Sequence, residues 1–87
     1  MKIAQLEALC TVIQAGSISQ AARQLHLTQP ALSFQIRDLE EYFNIRLLER
    51  TNKGVKPTLA GGLVYNFCQN MMISKEALQF EIERLQE

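Results

Sequence analysis

Gln29, Ser33, Phe34 and Arg37 place an amide, a hydroxyl, an apolar ring and a guanidinium close together in the chain. These groups suit the reading of a DNA groove. Gln pairs bidentately with adenine, Ser reaches either base type, and an apolar ring meets a thymine methyl. A second set lies downstream, where Arg46, Arg50, Lys53 and Lys56 stand against the single Glu49. Such a basic patch is suited to phosphate, because local sign rather than total charge governs that contact. Catalytic sets do not assemble. His26 is the only histidine and sits in a turn, and no Ser–His–acid set, metal-ligand cluster or phosphate-binding glycine loop can be built. No catalytic residue, metal ligand or cofactor is therefore expected.

The elements that must hold these groups read as two short helices and a tight turn. Ser17 is placed to cap the first, with Gln20 reaching back to complete a capping box. Ile18, Ala21, Ala22 and Leu25 recur at helical spacing, and the two alanines are small where steeply crossing helices meet. Leu27 turns inward after His26. Thr28 caps the second helix and Pro30 occupies its first turn, where a missing N–H costs nothing. Leu32, Ile36, Leu39 and Phe43 form one apolar stripe along it. Pro30, Ser33, Phe34, Arg37 and Glu41 fall on the opposite side, and Gln29 lies at the leading end. A helix start presented in this way is the geometry of a recognition helix in a major groove.

Arg46 to Arg50, Thr51 to Gly54 and Val55 to Pro57 read as strand, turn and strand. Gly54 supplies the positive φ of a tight hairpin, and Pro57 ends the ladder because it cannot donate to it. Arg50, Thr51 and Lys53 then belong to a small basic wing. A first helix from Ile3 to about Ala15 carries Ile3, Leu6, Leu9, Cys10 and Ile13 on one face and stops at Gly16, so it is scaffold.

Thr58 opens a last helix that runs toward Glu87, about 43 Å at 1.5 Å per residue. Val64, Met71, Leu78 and Leu85 recur at a seven-residue interval that suits a helix-to-helix seam. Phe67 and Ile82 flank that line, and Phe67 with Cys68 is also placed to pack against the winged domain. Gly61 and Gly62 would permit close approach near the helix start. An isolated apolar helix of this length is unstable in water, so a second copy is expected to cover it.

Eighty-seven residues, 47% of them apolar, suffice for one core. A formal net charge of zero argues against a non-specific polycation. The start of the chain has no signal-peptide pattern, and no stretch approaches the ~20 apolar residues of a membrane span. Cys10 and Cys68 show no metal spacing and read as reduced core or interface residues of a cytoplasmic protein.

Ala21-Ala22-Arg23-Gln24-Leu25, Thr28-Gln29-Pro30-Ala31-Leu32-Ser33, Gln35-Ile36-Arg37, Leu39-Glu40, Leu47-Leu48-Glu49-Arg50 and Thr58-Leu59-Ala60-Gly61 together resemble the N-terminal DNA-binding domain of LysR-type transcriptional regulators. The resemblance runs from about Ile3 to Gly61, and the remainder is similar to that family's linker helix. It implies a mainly α fold with a small β-hairpin: a winged helix-turn-helix over 1–57 and a linker and dimerisation helix over 58–87. It implies a bacterial, cytoplasmic regulator that binds a near-palindromic double-stranded operator as a homodimer, with a tetramer compatible with a full-length protein. On this pattern Thr28, Gln29, Pro30 and Ser33 map to the groove-facing helix start, Arg37 to its backbone-contacting side, and Arg50, Thr51 and Lys53 to the wing. Many members carry a basic or polar residue where Phe34 stands, and a Gly where Asn44 stands. Asn tolerates the left-handed cap, so the second departure is mild. Family members continue into an effector domain absent from this chain, so an excised fragment or truncated product is expected. Two alternatives stand beside this reading: the winged helix of another regulator class, such as the molybdate-responsive type, and a winged helix used only for protein–protein contact.

Overall fold

A computed structural model describes residues 1–86. Its elements run α1 (Ile3–Ala15), α2 (Ile18–Leu25), α3 (Gln29–Phe43), β1 (Leu48–Thr51), β2 (Gly54–Pro57) and α4 (Leu59–Arg84). Six of the eight helix ends follow from local chemistry. Ser17 Oγ accepts from the Gln20 backbone N–H at 3.2 Å, Thr28 Oγ1 from Ala31 N–H at 3.2 Å, and Thr58 Oγ1 from Gly61 N–H at 3.0 Å. Only this half of the expected Ser17–Gln20 box forms. At the other ends, Gly16, His26 and Asn44 all adopt left-handed conformations with φ of 68°, 57° and 56°. Asn44 therefore does what the usual glycine would do, at a modest steric cost.

Helix α1 is the centre of the packing, with α2, α3 and α4 all laid against it. Leu6, Leu9, Val12, Ala21, Ala22, Leu32, Ile36, Leu39, Leu47 and Cys68 are buried together. Two expected core residues are corrected. Ile3 is 55% exposed and Phe43 39%, each at the open end of its helix, where the stripe runs past the last neighbour that could cover it. Phe43 instead meets Tyr42 edge-to-face with ring centroids 5.0 Å apart. Gln5 is buried, which apolar periodicity could not show; its side-chain amide donates to Asp38 Oδ2, tying α1 to α3. Cys10 and Cys68 are both free and buried. Burial, with Cys10 and Glu7 nearby, pushes the Cys68 thiol up to about 12. Its Sγ donates to the Leu6 carbonyl at 3.3 Å, so it behaves as a protonated core group and not as a nucleophile.

The hairpin is antiparallel, pairing Leu48 with Pro57, Glu49 with Lys56, Arg50 with Val55 and Thr51 with Gly54. The first strand starts two residues later than the spacing predicts. Leu47 gives its N–H to Glu40 and its carbonyl to Thr58 N–H, so nothing is left there for a ladder. Gly54 has φ 133°, and a Cβ on it would lie 2.3 Å from the Gly16 carbonyl oxygen. Glycine is needed there twice over, for its dihedral and because Val55 N–H donates to that same carbonyl at 3.2 Å.

Helix α4 divides in two. Up to Met72 it lies on the core, with Gly61 and Cys68 buried and Val64, Tyr65, Met71 and Met72 partly so. From Ile73 onward every described residue is exposed, and the molecule extends 50 Å along its long axis. The seven-residue line is therefore split, Val64 and Met71 turning partly to their own domain while Leu78 and Leu85 stay free. Leu85 sits at the C-cap, one residue beyond the helix. Gly61 permits a close approach, but to its own chain: an added Cβ would stand 1.9 Å from the Leu47 carbonyl oxygen, whereas one on Gly62 meets open space.

Candidate nucleic-acid interface

Helix α3 enters its first turn at Gln29 with Pro30 beside it, and both side chains are exposed. Within this turn Pro30 has no N–H, Ala31 N–H is taken by Thr28 and Leu32 N–H by the Thr28 carbonyl, so the Gln29 N–H and the helix dipole supply the partial positive charge that favours phosphate and groove acceptors. Ser33 and Arg37 follow on the same side. Across from them stands the hairpin, and between the two lies an open cleft of about 480 Å³ lined by Pro30, Ser33, Arg37, Glu40, Arg46 and Arg50, with Ile18, Ile36, Leu48 and Val55 beneath. A shallower groove beside it joins Gln29 to Arg50, Thr51, Ser17 and Ser19. Arg50 borders both. One face thus collects Gln29, Pro30, Ser33, Arg37, Arg50 and Thr51, which lie in separate parts of the sequence.

The other expected site residues are placed differently. Thr28 is exposed, but its hydroxyl is held by the Ala31 N–H as a cap. Phe34 is 63% exposed on α3 and lies outside the cleft, so its ring is uncovered by any neighbouring element. Lys53 sits at the hairpin tip, its backbone N–H donating to Thr51 Oγ1 at 3.1 Å. Thr51 Oγ1 also donates to the Gly54 carbonyl at 3.3 Å, so that hydroxyl closes the turn and has little left to offer a ligand. Phe67, expected also to pack with Cys68 against the winged domain, is 53% exposed instead, on the side of α4 turned from the core; Leu78, Ile82 and Leu85 are exposed too, whereas Val64 and Met71 are only partly so.

Charge on this face is leaner than the sequence count of four cations suggests. Arg46 Nε lies 3.5 Å from Glu40 Oε2, and Lys56 Nζ lies 3.5 Å from Glu49 Oε1. Arg37, Arg50 and Lys53 form no ion pair among the described residues. Unpaired guanidinium and ammonium groups around a helix start can hold phosphate oxygens while Gln29 and Ser33 reach base edges.

Two features escaped the sequence reading. Ser17 and Ser19 border the second groove with their hydroxyls 3.0 Å apart; only Ser17 carried a signal, and as a cap. Glu40 sits in the cleft wall and accepts from Leu47 N–H at 2.7 Å and Leu48 N–H at 3.4 Å. No local pattern announces a bond of that kind.

Residues 3–62 match the family described as bacterial regulatory helix-turn-helix protein, lysR family. The nitrogen assimilation regulatory protein nac of Klebsiella aerogenes is 35% identical over 85 residues, covering 98% of this chain and 28% of that protein. The HTH-type transcriptional regulator TdcA of Escherichia coli K12 is 53% identical over 53 residues, 61% of this chain and 17% of that protein. The chain thus spans little more than a quarter of the length of the curated relatives it matches along nearly all of its own. Among solved structures, the BenM_DBD/catB site 1 DNA complex aligns at TM-score 0.92 and 32% identity, covering 98% of this chain and 94% of that one. The CbnR_DBD–DNA complex aligns at TM-score 0.88 and 26% identity over the whole of both chains. Among the described residues no helix is long and apolar enough to cross a membrane. The family is one of transcription regulators, not of enzymes. With the winged helix-turn-helix architecture, the open helix start and these matches in hand, the chain belongs to the lysR family of bacterial regulatory helix-turn-helix proteins and constitutes its DNA-binding helix-turn-helix domain.

Proposed function

We propose that this domain reads a double-stranded operator with α3 in the major groove and the β1–β2 wing on the flanking backbone, two copies pairing through α4 in a cytoplasmic regulator. The observation that carries this reading is the single face on which Gln29, Pro30, Ser33 and Arg37 of α3 meet Arg50 of the wing. In it, Gln29 and Ser33 contact base edges, Phe34 meets a thymine methyl, Thr28 and Pro30 shape the helix entry, Arg37, Arg50 and Lys53 approach phosphate, and Thr51 holds the turn that presents Lys53. The domain boundary falls at 57/58, with Thr58 and α4 as the linker and dimerisation segment; Glu87, the last residue of the expected 58–87 segment, lies outside the described residues. That solved relatives of the same fold are held in complexes with DNA supports the choice of DNA as the partner. A winged helix used only for protein contact would have no need of an uncovered amide, hydroxyl and guanidinium at its leading helix start.

The base-reading part is tested at Gln29. Gln29→Ala is expected to cost about 1–3 kcal/mol on a site selected from random DNA while leaving unrelated duplex almost unaffected. Equal losses on both DNAs, measured by anisotropy titration, would show that Gln29 does not specify sequence. For the wing, Arg50→Ala and Lys53→Ala are each expected to weaken all duplexes alike and to lower the slope of log K against log salt by about 1. A slope unchanged in both variants would take the wing off the DNA.

A further inference from the structure

The recognition helix and the wing are held to each other by surprisingly few direct links. The hairpin packs chiefly on α1 and α4: Val55 N–H donates to the Gly16 carbonyl at 3.2 Å, and Thr58 ties the strand bases through its Oγ1 to the Arg46 carbonyl at 2.7 Å. Among the described hydrogen bonds, Glu40 alone runs from α3 to the segment entering the wing. Its Oε2 accepts from Leu47 N–H at 2.7 Å and Leu48 N–H at 3.4 Å, and Arg46 Nε lies 3.5 Å from the same oxygen. The Glu40 side chain is only 14% exposed, whereas Arg46 is largely in solvent above it.

We propose that Glu40 is a positioning residue for DNA recognition, its carboxylate setting the register between the base-reading start of α3 and the phosphate-binding wing. This rests on the reading of that face as the DNA surface. An acid in the wall of a phosphate-facing cleft opposes binding by its charge, so its place there needs another reason. That reason is geometric. A carboxylate is acceptor-only and can take two N–H groups and a guanidinium at once, which fixes the exit of the chain from α3 at one angle. Arg46 neutralises it, so that this cation is spent on structure and Arg50 and Lys53 remain for phosphate.

Charge and position make opposite demands on two variants, and that separates them. Glu40→Gln and Glu40→Ala remove the same charge, but only Gln keeps an acceptor oxygen on the same stem. In Glu40→Ala, the Leu47 and Leu48 amides should exchange with deuterium roughly tenfold faster or more, the scale of a lost buried hydrogen bond, while amides in the middle of α1 stay protected. Affinity for a mixed-sequence duplex should fall, and the salt slope should drop by about 2 as Arg50 and Lys53 lose register. Glu40→Gln should keep slow exchange and bind the same duplex at least as well as the unmodified chain. Unaltered exchange at Leu47 and Leu48 in Glu40→Ala overturns the positioning role, as does a matching gain in affinity for both variants. Uniformly faster exchange throughout α1 overturns it too, by making Glu40 a general stabiliser. Failure of the unmodified chain to bind the duplex would overturn the reading of the face instead.

Discussion

Gly61→Ala is expected to cost about 3 kcal/mol or more of folding stability, the upper end for overpacking in a dense site. The added Cβ would lie 1.9 Å from the Leu47 carbonyl oxygen and 3.3 Å from Pro57 Cβ. The first obstacle is backbone, and that carbonyl already accepts from Thr58 N–H at 3.0 Å, so it cannot turn aside without unmaking the cap segment of α4. The helix would have to lift from the hairpin base, and with it Cys68 from the core. Gly62 supplies the control. Its added Cβ meets nothing, so Gly62→Ala should be neutral or stabilise by up to about 1 kcal/mol through helix propensity. Urea unfolding of the two variants checks this, and equal stabilities would show that the contact at Leu47 relaxes freely.

The second large effect concerns the projecting half of α4. Replacing Leu78 and Leu85 together by Glu is expected to leave the fold intact, because both are exposed and lie beyond the last residues that pack on the core. On the proposed pairing it should put like charges into an apolar seam and yield monomers. Affinity for a site with two half-sites should then fall roughly 100-fold or more, since the second half-site would no longer be bound intramolecularly. Affinity for one isolated half-site should hardly move. Met71 is a poor choice for this test, as it packs partly against its own domain and a charge there would confuse folding with association. Sedimentation and titration against single and paired half-sites measure both quantities. An unmodified chain that sediments as a monomer well above its DNA-binding concentrations would refute the pairing.

Much of the fold was legible because its signals are local. A cap is a contact over three residues, as at Ser17, Thr28 and Thr58, and a left-handed stop needs only Gly or Asn at one position, as at Gly16 and Asn44. Helical periodicity found Leu32, Ile36 and Leu39, since a stripe reports its own buried face whatever lies against it. It overran at Ile3 and Phe43 because periodicity does not say where the neighbouring helix ends.

By itself, then, the sequence determined four helices, the third with Gln29 in its exposed first turn, and a basic hairpin with Gly54 at its turn. All are set by interactions between residues a few positions apart. Tertiary structure alone decided which cations remain unpaired, because Glu40 reaches Arg46 only after α3 and the strand entry are brought together. It decided that Gly61 serves its own hairpin and not a partner helix, since the Leu47 carbonyl that excludes a Cβ comes from another element. It also divided α4 into a packed and a projecting half, because a helix is covered only as far as α1 and the core extend. These are contacts between separate elements, and their partners are chosen by packing, which no spacing along the chain encodes.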